Sequence, residues 1–419
     1  MTHILEAFKA AGVRSFPEVK AFCEGAPLWL RVTEHEGLYA LRYMKHESDF
    51  RSQVVRQSRG IVLEKETNRI VSWAFNKFYE YGESGPSYGE RPNLRLSLDV
   101  SKHFSIQRKY DGVLIKVVRR PSGGLLVSTN GRIDAATAPI MGRSGDASVA
   151  DIDASEAIPS SSSSSSSSKS RNFRQAFEEA GGLALPYQEG YCYAFEFMSP
   201  EIPTVIPASR PRLIHLTTRR LADDYSELPE DEGRFLDGVE RPEAATFNSF
   251  GECRSSTRAL PWDDEGYVLE DSKGTRVKIK SFAYKSMQRL LMGDSDNVDE
   301  DALCIALTLH RATAPLPQEF EALIQDWRRR SERFGQAVAI RLNNANVLAA
   351  SRSSRGGRSA LEAAVGGRVS KPVRSALAAA ALSCRLESAQ GNMDADLVLD
   401  ALRRSELQMS EILAAVRST

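Results

Sequence analysis

The sequence has no excess of either charge, because 55 Lys and Arg residues balance 55 Asp and Glu residues. Overall charge therefore does not point to a nucleic-acid partner, and any basic surface must be local. The five cysteines are scattered without a close pair, which argues against a zinc site or a disulfide framework and fits a reducing compartment. The six histidines show no catalytic spacing, so we assign them no role.

Long apolar runs are also absent, since none approaches the roughly 20 residues that span a bilayer. The first residues, Met1 to Lys9, predict a short amphipathic helix and lack the regions of a signal peptide. We therefore expect no membrane partner and a cytoplasmic protein, with the nucleus as an open alternative.

The chain has 419 residues, enough for about two to three domains. Short alternating apolar runs predict strands on both sides of a small, polar segment, about 136–170, that contains nine consecutive serines, Ser160 to Ser168. We interpret this segment as a disordered loop insertion, with an interdomain linker as the alternative. After Ser281, helical spacing takes over. We expect an α+β domain of antiparallel sheets with flanking helices over 1–284, followed by a small all-α domain over 285–419.

The most informative segment is Lys109-Tyr110-Asp111-Gly112, which lies between two apolar runs and predicts a strand, a tight turn and a second strand. A lysine at such a turn can attack the α-phosphate of a nucleotide and carry the nucleotide as a phosphoramidate. A free lysine has a pKa of about 10.4, so the attack needs nearby positive charge, a metal or desolvation. Four-residue patterns recur by chance, so this one gains its meaning from the segments that follow.

One such segment is the strand Arg276-Val277-Lys278-Ile279-Lys280, whose alternation places the three cations on one face. These cations could neutralise an α-phosphate and depress the pKa of Lys109. The alternative is a solvated charged face.

Two carboxylates have a context that suits nucleotide binding. In Tyr191 to Phe197, aromatic residues occupy one face of a strand, and Glu196 shares the other face with small residues, where it could bind a ribose hydroxyl. Glu265 opens another strand and could coordinate Mg²⁺. An exposed strand glutamate and a polar turn are the respective alternatives.

Two isolated cations, Arg59 and Lys77, stand beside glycine and aromatic residues. They are candidates to bind a polyphosphate, since arginine binds phosphate in a bidentate manner. As surface residues they would need no explanation.

Taken in order, these segments resemble the motif series of covalent nucleotidyltransferases, the superfamily of ATP-dependent ligases and mRNA capping enzymes. The closer resemblance is to the RNA ligase 1 type of bacteriophage tRNA-repair ligases. It covers roughly Leu38 to Tyr284 apart from the serine-rich insertion. The segments that carry it are KYDG at Lys109, YAFEF ending at Phe197, RLIHL ending at Leu216, EGYV at Glu265 and KIK ending at Lys280.

The resemblance implies a role for each matching residue. Lys109 would be the adenylylated nucleophile, positioned with the nucleotide by Asp111 and the adjoining Gly112. Glu196 would bind the ribose, and Leu216 would pack against the adenine. The metal and the phosphates would be bound by Glu265 (divalent metal), Lys278 and Lys280 (α-phosphate), and Arg59 and Lys77 (β- and γ-phosphates).

The chain departs from the family pattern after the strand Leu125 to Ser128. The family commonly has a lysine just before the glycine there, whereas Asn130 precedes Gly131 in this chain, with Arg132 following. Either Arg132 takes over a phosphate contact or that contact is missing.

The resemblance implies an ATP-dependent RNA ligase that uses Mg²⁺ or Mn²⁺ and joins 3′-hydroxyl and 5′-phosphate RNA ends, such as those of a nicked tRNA. No kinase or phosphatase motif is present, so we expect separate end-healing enzymes. The alternatives are a DNA ligase, a capping guanylyltransferase or a non-catalytic RNA-binding protein on the same fold. The first two usually append a β-barrel after the KIK strand, where this chain predicts helices.

The predicted helical region carries a basic cluster at Arg328 to Arg330 and Arg333, and a basic loop at Arg352, Arg355 and Arg358. Both could contact an RNA backbone. A solvated helix face is the equal alternative.

Overall fold

The computed structural model describes residues 3–44, 47–81, 104–140, 171–222, 224–228, 236–292, 308, 318–344, 357–366, 369–387, 393–404 and 409–417. The chain forms two compact units, Met1–Thr246 with Tyr267–Ile279, and Phe247–Gly266 with Lys280–Thr419. The predicted domains 1–284 and 285–419 stay a prediction.

The serine-rich insertion falls outside the described residues from 141 to 170. Its first five predicted residues, 136–140, are described and belong to the folded core instead. Ala138 and Ile140 are buried there against Phe173 and Phe177, because an apolar side chain gains by leaving water. The folded part of the first unit therefore extends five residues further than the prediction.

The first unit begins with two helices whose apolar faces are buried. Helix α1 spans His3–Ala11, where the sequence predicted a helix over Met1 to Lys9, and α2 spans Phe16–Glu24, where Ser15 and Glu18 form a capping box. Two shorter helices follow, α3 (Gln53–Gln57) and α4 (Phe173–Glu179).

Within the described residues, twelve strands follow the alternating segments of the sequence. They are β1 (Leu30–His35), β2 (Leu38–Tyr43), β3 (Arg59–Glu64), β4 (Ile70–Ser72), β5 (Tyr79–Glu80), β6 (Phe104–Arg108), β7 (Val113–Arg119), β8 (Leu125–Thr129), β9 (Tyr191–Met198), β10 (Arg212–Arg220), β11 (Gly266–Asp271) and β12 (Arg276–Lys280).

The strands form three sheets of four, with the orders β1-β2-β3-β4, β10-β9-β7-β8 and β5-β12-β11-β6. The first two sheets are antiparallel throughout, whereas β5 pairs with β12 in parallel. The β1–β2 hairpin turns through Glu36 and Gly37, both with positive φ, which suits the right-handed twist of the strands. The predicted mixture of antiparallel sheets and helices is confirmed.

The sheet β10-β9-β7-β8, called the central sheet below, buries both of its faces, and this burial positions the candidate site. One face of β7 and β9 packs with α4 in an aromatic core that contains Phe177, Phe195 and Phe197. The opposite face of the same strands meets the first sheet through Val118 and Cys192, among others. Alternation along β9 thus puts its aromatic residues in one core and its small residues in the other.

The second unit contains α5 (Phe250–Ser256), α6 (Phe282–Met292), α7 (Gln318–Leu342), α8 (Gly357–Val365), α9 (Lys371–Glu387), α10 (Ala395–Arg404) and α11 (Met409–Arg417). Ile324, Trp327, Phe334 and Val338 lie at helical spacing on α7 and are buried. The helical character predicted after Ser281 agrees with these elements, whereas a separate all-α domain stays a prediction. Among the described helices, none is both long and apolar enough to cross a membrane.

Candidate active site

The lysine turn joins β6 to β7, as the sequence predicted, and leaves Lys109 half-buried. Lys109 Nζ donates to the carbonyl oxygen of Tyr110 at 3.2 Å. Asp111 Oδ2 accepts a hydrogen bond from the backbone N–H of Ile206 at 2.9 Å, 95 residues further along the chain. Asp111 therefore anchors the turn to a distant loop, which fits its predicted positioning role.

Gly112 connects the lysine turn directly to the predicted ribose-binding carboxylate. Its backbone N–H donates to Glu196 Oε1 at 3.0 Å. The backbone of the lysine turn and that of β9 approach so closely that a Cβ atom at Gly112 would lie 2.6 Å from the Phe197 carbonyl oxygen and 3.0 Å from Glu196 Cγ. Only glycine fits this position, and the close approach sets the distance between the lysine turn and β9.

The strand β9 presents Cys192, Ala194 and Glu196 on one face, as the alternation predicted. Leu216, the predicted adenine contact, is the extra residue of a β-bulge where the register of β9 and β10 shifts. The bulge directs a half-buried Leu216 into a small apolar cluster. That cluster comprises Ala74, Phe75, Phe78, Ala194, Leu114 and Leu216. An apolar surface beside Glu196 suits a base next to its ribose.

Phe78 brings two predicted phosphate-binding cations together. The Arg59 guanidinium carbon lies 5.9 Å from the centre of the Phe78 ring, and Lys278 Nζ lies 5.0 Å from the same centre. The Arg59 Nε atom is buried and has no hydrogen-bond partner among the described residues. An unpaired buried donor on a cation is costly unless an anion binds it, so this corner of the site favours a phosphate.

Lys77 lies among aromatic rings on the side of the β1–β4 sheet. Its Nζ atom is 5.6 Å from the ring centres of both Tyr43 and Phe50, and 4.9 Å from that of Tyr79. Its backbone N–H donates to the Arg56 carbonyl oxygen at 2.7 Å. Its predicted contact with the β- and γ-phosphates stays a prediction.

The third cation of the KIK strand has a different role from the one predicted. Arg276 is half-buried and ion-paired at 2.8 Å with both Glu227 and Glu270. Arg219, which is buried, binds Glu227 at 3.2 Å, so one carboxylate links β10 to β12. Two carboxylates neutralise Arg276, and it therefore fixes the strand that bears Lys278 instead of adding charge at a phosphate.

Glu265 and Lys280 both belong to the second unit, where they bind each other. Glu265 is 2% exposed, and its Oε1 atom lies 3.2 Å from Lys280 Nζ. Lys280 Nζ also donates to Gln288 Oε1 at 3.3 Å. Within the described part of the chain, no group of three or more His, Cys, Asp or Glu side chains could hold a metal alone. A magnesium ion that is held mainly by nucleotide phosphates and water needs only one or two protein carboxylates, and the role of Glu265 as its ligand stays a prediction.

The departure at Asn130 lies in a tight turn after β8. Thr129 Oγ1 accepts from the backbone N–H of Gly131 at 3.1 Å and from that of Arg132 at 3.0 Å. The turn brings the Asn130 backbone against Gly60, the neighbour of Arg59. A contact between Arg132 and a phosphate stays one of the two predicted alternatives, and loss of that contact is the other.

Sequence reasoning missed Lys116 and Arg219, two buried cations in this unit. Lys116 is 1% exposed on β7 and donates from Nζ to the Gly60 carbonyl oxygen. A lysine inside the apolar run Leu114-Ile115-Lys116-Val117-Val118 was the available signal, because a buried charge requires a specific partner. The partner itself, 56 residues earlier, could not be identified from the sequence.

Comparison with known proteins identifies the family of this chain. Residues 57–287, more than half of the chain, match a family model described as RNA ligase. The chain therefore belongs to this RNA ligase family, and the predicted family resemblance is confirmed.

A relative from Autographa californica nuclear polyhedrosis virus, named as a bifunctional polynucleotide kinase/RNA ligase, is 25% identical over 280 residues. The match covers 65% of this chain and 36% of the viral protein, so the chain spans about a third of that relative's length.

Three solved structures have a distant likeness to this one. Form 2 of an archaeal ATP-dependent RNA ligase has a TM-score of 0.39 at 15% identity over 78% of this chain and 82% of its own. Form 1 has a TM-score of 0.37 at 15% identity over 86% and 79%. A structure named as an ATP-dependent DNA ligase from Aquifex aeolicus has a TM-score of 0.35 at 14% identity over 72% and 67%.

Proposed function

We propose that this protein is an ATP-dependent RNA ligase that joins 3′-hydroxyl and 5′-phosphate ends through a Lys109 adenylate and an AMP-capped RNA. Membership of the RNA ligase family supports the reaction class. The observation that carries the proposal is the hydrogen bond from Gly112 to Glu196, because it connects the lysine turn to the strand that bears the apolar cluster. The proposed nucleophile, the proposed sugar-binding carboxylate and the apolar cluster thus belong to one packed structure.

In the first step, Lys109 Nζ loses a proton to water and forms a bond to the α-phosphorus of ATP. The bond from that phosphorus to the bridging oxygen breaks, and pyrophosphate leaves with the electron pair. Lys278 stabilises the charge that develops on the α-phosphate, and Arg59 binds the β- and γ-phosphates of ATP. Such transfers depend mainly on positioning and on preorganised charge, which explains a site rich in cations.

Glu196 would hold the ribose, and its bond to Gly112 would keep the sugar in register with the nucleophile. Leu216 would cover the adenine from the bulge of β10. A bound Mg²⁺ or Mn²⁺ would supply further charge neutralisation at the phosphates, with Glu265 as its protein ligand.

In the second step, the 5′-phosphate of an RNA end attacks the adenylate and releases Lys109. In the third step, a 3′-hydroxyl attacks the capped 5′-phosphate, a phosphodiester bond forms and AMP leaves. An end of the wrong chemistry would first need a kinase or a phosphatase, and the named kinase activity of the viral relative fits such a partnership.

The exposed arginines of α7 would contact the RNA backbone. Arg329 and Arg333 lie one turn apart on an exposed strip of the helix, whereas Trp327 and Phe334 are buried. Asp326 pairs with Arg329 at 3.6 Å and with Arg330 at 2.7 Å, which lowers the net charge of the strip. Replacement of Arg329 and Arg333 by glutamine should weaken binding to nicked tRNA and reduce its salt dependence. Unchanged binding at every salt concentration would favour the solvated-face alternative.

The reaction is tested with ATP that carries the label on its α-phosphate. We expect a labelled protein band after denaturing electrophoresis, and we expect Lys109→Ala to abolish it. Lys20→Ala serves as the control, because Lys20 is an exposed lysine on α2 that pairs with Glu34. An unlabelled wild-type protein under varied Mg²⁺ and Mn²⁺ would refute the covalent mechanism.

The substrate is tested by joining of nicked tRNA, single-stranded RNA and nicked DNA. We expect RNA ends to be joined and nicked DNA to be a poor substrate. Preferential joining of DNA would indicate a DNA ligase, and preferential labelling by GTP would indicate a capping enzyme.

A further inference from the structure

Lys116 is a cation in the interior of the first unit, and the proposed reaction gives it no role. It lies on β7, in register with Ala194 of β9 and Ser128 of β8. Only 1% of its surface is exposed. Removal of an ammonium group from water is costly, so the charged form of Lys116 is stable in the interior only through its contacts with polar groups. One of them is the hydrogen bond from Nζ to the Gly60 carbonyl oxygen.

Gly60 is an irregular point of β3. The β2–β3 register passes from Leu41 paired with Ile61 to Arg42 paired with Arg59, so Gly60 is the extra residue of a β-bulge. Its φ of +73° lies in the left-handed region that favours glycine. A bulge redirects the neighbouring side chains, and here the neighbour is Arg59.

The Gly60 backbone is held from two sides. A Cβ atom there would lie 2.5 Å from the Asn130 carbonyl oxygen and 2.7 Å from Asn130 Cα, so the turn after β8 packs directly on it. The Lys116 ammonium binds its carbonyl oxygen. The strand β7 and the turn after β8 therefore fix a bulge in the neighbouring sheet.

Arg59 carries the consequence of this arrangement. Its guanidinium lies over Phe78, which also faces Lys278, and its Nε atom is a buried donor without a hydrogen-bond partner in the described part of the chain. The Arg59 guanidinium can bind an anion at a fixed place only if the backbone of the bulge that carries it does not move.

We propose that Lys116 is a positioning residue, which holds the Gly60 bulge so that Arg59 presents its guanidinium to the β- and γ-phosphates of ATP. The inference rests on the proposed function for the identity of the anion. Lys116 does not touch the nucleotide in this arrangement, because its side chain is enclosed between the sheets.

The steps of ligation separate this role from a general structural one. The β- and γ-phosphates are present only during self-adenylylation, whereas joining of a pre-adenylylated RNA to a 3′-hydroxyl end needs no ATP. Lys116→Met removes the donor and keeps an unbranched side chain. We expect the ATP concentration for half-maximal self-labelling to rise about 10-fold, as for loss of one hydrogen bond of a charged group. The maximal labelling rate and the joining of pre-adenylylated RNA should stay within about 3-fold of wild type, on the same scale.

The matched control is Lys20→Met, which removes a lysine charge from an exposed ion pair and should leave every measurement unchanged. In an Arg59→Met background, Lys116→Met should add little further loss, because the residue that it positions is already gone. Equal losses in labelling and in joining, or an unfolded variant, would show a general structural role and overturn the inference. An unchanged half-saturation value for ATP would overturn it as well.

Tripolyphosphate affinity, measured by calorimetry on the full chain, distinguishes this inference from the proposed function. We expect Lys116→Met and Arg59→Met to weaken tripolyphosphate binding by similar factors of about 10, the loss of one charged contact. A wild-type protein that neither labels itself nor joins RNA ends would refute the proposed function, yet this comparison would still decide the role of Lys116. Equal tripolyphosphate affinity in wild type and Lys116→Met would refute that role.

Discussion

Gly112→Ala should disable the lysine turn, and its effect follows from three distances. The added Cβ would lie 2.6 Å from the Phe197 carbonyl oxygen, and 3.0 Å from both Glu196 Cγ and Met198 Cγ. A comfortable carbon–oxygen contact is about 3.3 Å or more, so the turn must move away from β9 by roughly 0.7 Å. The carbonyl oxygen belongs to β9, which is held by β10 and β7 on either side, so we expect the turn to move and the strand to stay in place.

The cost has two parts. Overpacking of this kind costs about 1–3 kcal/mol. The movement also lengthens the bond from the Gly112 N–H to Glu196, a contact with a charged group worth about 1.5–3 kcal/mol. A misplacement of about 1 Å at a reacting group lowers rates by roughly 100-fold. We therefore expect self-adenylylation to fall by about 100-fold, and we expect the two energetic costs to appear as a lower thermal midpoint.

The assay is the initial rate of self-labelling at saturating ATP, with the thermal midpoint measured in parallel. Gly251→Ala is the matched control, because Gly251 lies in α5 where the nearest atom to an added Cβ is the Ser249 hydroxyl oxygen at 3.7 Å. Alanine in a helix should stabilise the protein by up to about 1 kcal/mol there. A Gly112→Ala protein that labels itself within 3-fold of the wild-type rate would refute the argument from close approach.

Three further predictions follow from buried and charged groups. Glu227→Gln removes the carboxylate that binds the buried Arg219 and the half-buried Arg276, and should lower stability by about 3–5 kcal/mol in thermal melts. Glu243→Gln, at an exposed pair, should change stability by under about 1 kcal/mol, and equal midpoints of the two variants would contradict this reasoning. Burial lowers the pKa of His215 from 6.5 to about 4, so the unfolded chain takes up the proton first and stability is lost as pH falls from 6.5 to 4. The loss of stability is at most ~1.4 kcal/mol per unit of pKa difference between the folded and unfolded states. The thermal midpoint of His215→Gln should therefore fall less than that of the wild type between pH 6.5 and 4, and parallel curves of midpoint against pH would refute this reasoning. Lys278→Met should lower the labelling rate at saturating ATP by about 100-fold, as for removal of one charge-stabilising donor, and a change in ATP affinity alone would contradict its role at the α-phosphate.

The sequence by itself determined the local elements and the family. The turn at Lys109, the strand β2 at Leu38–Tyr43, the strand β8 and the two faces of β9 all follow from alternation and turn residues over a few positions. Local patterns are decided by neighbours in the chain, so they can be recognised without a structure. The motif series indicated the RNA ligase family for the same reason, because each motif is short and contiguous.

Only the tertiary structure decided which cations are paired with other groups of the fold. Alternation placed Arg276 and Lys278 on one face, but Glu227 and Glu270 neutralise Arg276, and the sequence gives no sign of that pairing. Lys116 hydrogen-bonds to Gly60, 56 residues away in the sequence, and Gly112 hydrogen-bonds to Glu196, 84 residues away. Such contacts depend on how sheets pack against each other, and the free energy of a buried charge depends on the partner that packing supplies.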